Sequence, residues 1–274
     1  MKFLKTCFEF YLNSSIHVAL AVYALMRITE LYFNLPYQDK LNYFIFFSTI
    51  TGYNFVKYAG VARLHHRSLT NNLKVIQIFS LFAFIAMLYY AYALPLKLML
   101  YFLPFGVLTL LYAVPFLSGF EKNLRQVSHL KNVVIAFVWA GTTVIIPLIF
   151  AEKDLNTSAF LYMLQRFVIV LALILPFDIR DLNFDTISLQ TIPQRIGVEK
   201  TKKLGLTLLI FSLILEYLIP IGESFKTPYM LFVFVTIIFL MRSKTKQNKY
   251  YSSFWVEAIP IFWWLSVLIF QKIQ

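Results

Sequence analysis

The chain has 274 residues and a formal net charge of +12, yet only 14% of its residues are charged and 59% are hydrophobic, with 29 Phe and 17 Tyr. A soluble domain carries roughly 25% charged residues, so this composition excludes a soluble fold and points to an all-α, polytopic membrane protein made of one transmembrane domain, 1–274. The positive charges fall in short loops between apolar runs, which fits a positive-inside bias and excludes nucleic acid as the expected partner.

From the N-terminus, Met1 to Ser15 holds Lys2 and Lys5 but no short apolar core with a small-residue cleavage site. The first apolar run is therefore expected to remain as a span. Cys7 is the only cysteine, which rules out an intramolecular disulfide and a zinc–cysteine cluster; it reads as a spectator. Runs of spanning length fall at 15–34, 41–62, 75–95, 97–117, 132–151, 157–177, 203–222, 227–242 and 251–271. This gives nine predicted spans, with no internal repeat or low-complexity segment to suggest the inverted halves of a transporter.

Charges inside a bilayer are functional candidates by default. Arg27 and Glu30 lie three apart on span 1 and are placed to satisfy each other. Lys57 stands on span 2, roughly 7 Å of helix inside its end. Arg166 on span 6 and Glu216 on span 7 are expected to pair, and Glu257 lies shallowly in span 9. His65 and His66 are adjacent and diverge on a helix, while His17 and His129 are isolated; all four read as surface or interfacial. Trp139, Trp255, Trp263 and Trp264 read as packing or interfacial-belt residues.

The most informative stretch follows span 6. Asp178, Asp181 and Asp185 are spaced i, i+3, i+7 in Pro-Phe-Asp-Ile-Arg-Asp-Leu-Asn-Phe-Asp, so a helix places all three on one narrow face. Like charges stacked this way oppose the helix. Two readings stand: a site for a divalent cation and a phosphorylated lipid, or a solvated acidic helix end.

Orientation follows from the basic residues. With the N-terminus inside, 17 of the 25 Lys and Arg fall in inner segments. Lys40, Lys97, Lys153, Lys226 and Lys272 fall outside, and Arg27, Lys57 and Arg166 lie within spans. The asymmetry predicts a cytoplasmic N-terminus and cytoplasmic loops near 63–74, 118–131, 178–202 and 243–250, with the chemistry on that side of the bilayer. In a bacterium the expected location is the cytoplasmic membrane.

Asp178-Ile-Arg-Asp-Leu-Asn-Phe-Asp185, followed by Thr191-Ile-Pro-Gln-Arg-Ile-Gly197, resembles the second aspartate-rich motif of the UbiA-type intramembrane prenyltransferases. Tyr112-Ala-Val-Pro115, Leu130-Lys-Asn132 and His66-Arg67-Ser68-Leu69 resemble further family segments, and nine helices with long cytoplasmic loops is that family's architecture. The resemblance implies a helical bundle around a central cavity. It also implies transfer of a prenyl group from a polyprenyl diphosphate to an acceptor, often aromatic, assisted by Mg2+ held on Asp178, Asp181 and Asp185. Lys57, Arg67, Lys131 and Arg180 would assist the diphosphate, and Asn54 would orient it. Arg180 points away from the aspartate face on an ideal helix.

One departure is large. The family's first motif, Asn-Asp-x-x-Asp-x-x-x-Asp, corresponds here to Tyr53-Asn-Phe-Val-Lys-Tyr-Ala-Gly-Val-Ala62. Asn54 is kept, but Phe55, Tyr58 and Ala62 fill the acid slots. Lys57 then stands either as a replacement charge for the diphosphate or as a lysine snorkelling to the interface. Three functions remain: a prenyltransferase, an isoprenoid-binding or scaffolding relative that has lost turnover, and a transporter favoured only by the buried charges.

Overall fold

Apolar residues recurring on helical faces along most of the chain build helices throughout the computed structural model, which describes residues 2–64, 71–114, 130–183, 190–220 and 222–273. In order these are α1 (Lys2–Asn13), α2 (Ile16–Tyr32), α3 (Asp39–Leu64), α4 (Asn71–Tyr92), α5 (Leu96–Ala113), α6 (Leu130–Ala140), α7 (Ile146–Phe150), α8 (Thr157–Asp181), α9 (Ile192–Ile196), α10 (Val198–Leu218), α11 (Glu223–Arg242) and α12 (Ile259–Ile273). Wide π turns at Gly141–Ile145 and Tyr251–Val256 precede α7 and α12.

Local chemistry sets the breaks. Ser15, between α1 and α2, takes φ 64°, a left-handed conformation that costs a non-glycine residue energy and turns the chain at once into α2. Asn156 caps α8 by accepting a hydrogen bond from the Ala159 backbone N–H at 3.0 Å. Between α9 and α10, φ of 79° at Gly197 is a value that glycine adopts without a Cβ penalty.

The long helices close into a ring. α3, α2, α12, α11, α10, α8, α6 and α5 follow one another around it, with α5 returning to α3 and α4 packed outside α3. α8 touches α6, α9, α10 and α11, and its residues Ile169, Val170, Ala172, Leu173 and Leu175 enter the main core with Phe232, Tyr229 and Trp263. The Phe232 and Trp263 rings stack at 4.5 Å. Outward-facing Leu81, Phe82, Ile85 and Leu88 on α4 and Leu100, Leu103 and Leu110 on α5 are exposed, as a lipid-facing surface requires.

Every predicted span falls on a helix of this ring or on α4, and six segments are long and apolar enough to cross a membrane: 73–92, 96–113, 130–150, 157–181, 223–242 and 251–272. The protein is a multi-pass membrane protein. Six of the nine expected spans therefore meet that length and apolarity among the described residues; of the other three, α2 has 17 residues, α3 carries inward polar residues such as Asn42 and Asn54, and α10 carries Lys202, Lys203 and Glu216.

Arg27, Glu30, Arg166 and Glu216 each find partners within the bundle. Arg27 pairs with Glu30 as expected, and Glu30 also accepts from Asn42 Nδ2 at 2.6 Å. Arg166 and Glu216, in contrast, form no direct pair. Arg166 donates to the Leu25 carbonyl at 2.7 Å and to the Tyr162 hydroxyl at 2.6 Å, and its guanidinium stacks 5.3 Å from the Trp263 ring. Glu216 accepts from Gln165 at 2.7 Å and from Tyr32 at 3.1 Å. Neutral donors and acceptors on neighbouring helices reach each charge first. His17 also departs from expectation: it is buried, hydrogen-bonded to the Tyr11 hydroxyl at 2.6 Å and the Phe254 carbonyl at 2.9 Å. At the surface, Lys249 donates to Glu9 at 2.8 Å and thereby holds the Glu9 carboxyl below its usual range. Because that folded-state value is depressed, the tie between α1 and the last span is present at neutral pH and is lost as the pH falls through it.

The ring of Phe105 on α5 occupies the space that a Cβ on Gly141 would need. Gly141→Ala is therefore expected to push α5 from the π turn and destabilise the bundle by about 1–3 kcal/mol, read as a lower unfolding midpoint in detergent. Gly106→Ala, where a Cβ meets open space, is the control and should change little.

Candidate functional site

Four residues named from sequence meet in one place. Lys57 from α3, Lys131 from α6, and Asp178 and Asp181 from α8 line a cavity of about 380 Å³ at the centre of the ring. Its remaining wall is apolar and aromatic: Tyr53 and Val56 on α3, Tyr112 on α5, Trp139 on α6, Leu173, Ile174 and Phe177 on α8, and Pro260 on α12. Glu257, at the turn into α12, adds a third carboxylate. The end of α3 thus faces the end of α8 across a single space, as the resemblance requires.

Asp178 is wholly buried and accepts from Lys131 Nζ at 3.1 Å and from Asn132 Nδ2 at 2.5 Å. Each carboxylate oxygen retains a further acceptor site. Asp181 lies one turn on, 31% exposed, with Arg180 forked onto it at 2.7 and 2.9 Å. Arg180 therefore bends back onto the aspartate face by way of its neighbour. Helix α8 ends at Asp181, and Asp185 lies outside the described residues, as does Arg67.

Asn54 stands behind the wall rather than in it. It accepts from Ser15 Oγ at 2.7 Å and donates to the Ser14 carbonyl at 3.0 Å and to Ser80 Oγ at 2.8 Å. Lys57 Nζ donates to the same Ser15 Oγ at 2.8 Å. Asn54 thus acts through Ser15 to hold Lys57 at the cavity.

Behind Asp178 lies a second, smaller pocket of about 250 Å³, lined by Lys131, Asn132, Leu171, Leu175, Ile192, Leu204 and Leu208 among others. Asp178 and Lys131 form the partition between the two spaces.

The sequence reading missed Glu257, Tyr53, Trp139 and Ser15 as parts of the site. Trp139 is a cavity-wall residue, with its ring 6.4 Å from that of Tyr53. Only Glu257 carried a signal, as an ionisable residue at membrane depth.

Magnesium asks for one or two carboxylates plus substrate phosphates. Asp178 and Asp181, one turn apart on one wall, fit one ion on that basis. The slots on α3 that would hold a second ion's acids are Phe55, Tyr58 and Ala62, and no group of three metal-ligating side chains is assembled among the described residues.

No family model and no curated protein matches the sequence. The fold is nevertheless shared with solved structures. A UbiA homologue from Aeropyrum pernix K1 superposes with a TM-score of 0.66 at 13% identity, covering 93% of this chain and 97% of that one. A digeranylgeranylglyceryl phosphate synthase gives 0.59 at 14% identity over 98% of both chains. A UbiA homologue from Archaeoglobus fulgidus bound to GPP and Mg2+ gives 0.58 at 14% identity, over 99% of this chain and all of that one. The chain has the UbiA fold.

Removing Lys131 would leave Asp178 buried with only Asn132 to answer it. A wholly buried pair broken this way costs about 3–5 kcal/mol; because the Lys131 side chain is 20% exposed, Lys131→Met is expected to cost about 2–4 kcal/mol. Adding Asp178→Asn to Lys131→Met should recover most of the loss in unfolding midpoint, since no charge is then left unpaired.

Proposed function

We propose that this protein is a membrane prenyltransferase that transfers a prenyl group from a polyprenyl diphosphate to an acceptor, with an aromatic acceptor favoured by the cavity wall. The observation that carries this reading is the composition of the central cavity: cations and carboxylates at the ends of α3, α6 and α8, with aromatic and aliphatic side chains beyond them. A diphosphate joined to an isoprenoid tail has that same division of polar head and apolar chain. The shared fold supports the reading, because the Archaeoglobus fulgidus homologue binds GPP and Mg2+.

The diphosphate head would sit between Lys57 and Lys131, each supplying a charge-assisted hydrogen bond. Arg180, beside Asp181, adds positive charge at the rim. Asp178 and Asp181 would hold a magnesium ion, which when bound neutralises charge building on the leaving diphosphate. The rings of Tyr53, Tyr112, Trp139 and Phe177 offer π faces to the allylic cation that forms as the diphosphate leaves. Asp185 and Arg67 remain part of the proposed site as second-motif and loop contributions. The basic-residue asymmetry of the sequence supports a cytoplasmic position for the charged end and the N-terminus.

A second reading is favoured by one observation: the acids of α3 are absent and Asp178 is already answered by Lys131 and Asn132. On that reading the protein binds isoprenoids without turning them over.

Binding of labelled geranyl diphosphate to the purified protein in nanodiscs, titrated with Mg2+, tests the first reading. Lys57→Met removes a charge-assisted hydrogen bond of roughly 1.5–3 kcal/mol, so affinity should fall by about one to two decades. Asp181→Asn should also weaken binding and abolish the response to Mg2+, which Lys57→Met keeps. Parent-like binding by Lys57→Met would reduce Lys57 to a snorkelling residue, and indifference to both changes would remove the diphosphate site. Tight binding without release of diphosphate under any acceptor would favour the second reading.

A further inference from the structure

Glu257 is the one ionisable group of the cavity that diphosphate binding leaves unused. It is half-buried in the cavity wall, and its side chain makes no hydrogen bond or ion pair among the described residues. Every other carboxylate in that wall is spoken for: Asp178 by Lys131 and Asn132, Asp181 by Arg180. Its carboxylate is open to the cavity and can accept from a ligand that carries a donor. A diphosphate is an anion and supplies none. The second substrate can supply one.

The surroundings indicate its chemistry. Glu257 enters at the turn between the π segment and α12, flanked by Val256 and Pro260, and shares the wall with the rings of Tyr53, Tyr112 and Trp139. The Tyr53 and Trp139 rings meet edge-on at 62°, leaving a face against which a flat ring can lie. A neutral phenol would present its ring to that face and its O–H to the carboxylate. Resting on the prenyltransferase reading, we propose that Glu257 is the general base that receives the hydroxyl proton of a phenolic acceptor.

The step balances. The allylic C–O bond of the prenyl diphosphate breaks and its electron pair leaves on the diphosphate. The phenol's oxygen donates the pair that forms the new bond to the allylic carbon; where a ring carbon donates it instead, the resulting dienone returns to the phenol by losing the proton of that ring carbon and taking one up on oxygen. The phenolic proton passes to Glu257 and from there to solvent. The groups that act on Glu257 from the packed elements are Tyr11 on α1, Tyr53 and Lys57 on α3, and Arg180 on α8, with Lys131, Asp178 and Asp181 farther along the same wall.

The test uses the full chain in nanodiscs with labelled geranyl diphosphate, Mg2+ and two acceptor probes: a phenol neutral in the assay buffer and a nitrophenol already ionised in it. Geranyl diphosphate binding and slow release of diphosphate to water report the underlying reading without an acceptor. Glu257→Gln keeps the shape and removes the base. It should lower transfer to the neutral phenol about 100-fold or more relative to the parent, as loss of a general base does, and change transfer to the ionised phenol little. Glu257→Asp, which retains a carboxylate, should recover part of the lost rate. Equal losses with both phenols would make Glu257 a structural residue, and parent-like transfer by Glu257→Gln would make it a spectator; either overturns the proposal. A parent that binds and cleaves geranyl diphosphate but prenylates neither probe overturns the phenolic acceptor alone, whereas a parent that binds none overturns the prenyltransferase reading with it.

Discussion

A polar group inside a bilayer has no water to turn to, so the protein itself must answer it. Much of this structure follows from that constraint. Arg166, Glu30, Glu216 and Asp178 are each nearly or wholly buried; Glu30 and Asp178 each combine an opposite charge, Arg27 or Lys131, with an asparagine amide, while Arg166 and Glu216 are hydrogen-bonded by neutral groups. Sharing a charge among neutral hydroxyl, amide and carbonyl groups lowers its cost without demanding a second buried ion. It also fixes helices against one another, because a partner on another helix must stay within hydrogen-bonding distance. Arg166 ties α8 to α2 through Leu25 and Thr29; Glu216 ties α10 to α8 and α2 through Gln165 and Tyr32.

The same constraint separates the bundle into a half that holds and a half that receives. Around Arg166 and Glu216 the wholly buried rings of Tyr162, Tyr229 and Trp263 pack the core. At the other end of α8, Pro176 sits within the helix, and its carbonyl accepts from Ser252 at 3.2 Å, so the π segment before α12 is drawn onto α8. That docking brings Glu257 to the cavity. The proline lacks the N–H that would bond the Ala172 carbonyl, and the Ser252 bond is made one turn further on, to the proline's own carbonyl.

Much of this was legible in the sequence, and the limits have a common cause. Span positions follow from apolar runs, and the i, i+3 spacing of Asp178 and Asp181 puts both on the wall they occupy. Lys57 and Lys131 were placed at the correct ends of their helices by distance along the chain. What pattern cannot supply is the neighbour: period tells which face of a helix a residue occupies, not which helix meets that face. Trp139 and Trp263 look alike in sequence, yet one lines the cavity and the other lies in the core. His17 is buried because Tyr11 and Phe254, six residues and more than two hundred residues away, converge on it. Arg166 and Glu216 looked like partners because charge alone was counted, while tyrosines, a glutamine and a backbone carbonyl lay nearer.

The Ser15 hydroxyl joins two parts of the chain that are far apart in role. It donates to Asn54 and accepts from Lys57, and it is positioned by a left-handed turn between the first two helices. The ammonium facing the cavity is therefore set by the geometry of the N-terminal segment, some forty residues upstream. Anything that re-angles α1 against α2, including a tag fused at the amino end or a membrane surface pressing on α1, would be transmitted to the cavity as a displaced charge rather than as a loosened terminus.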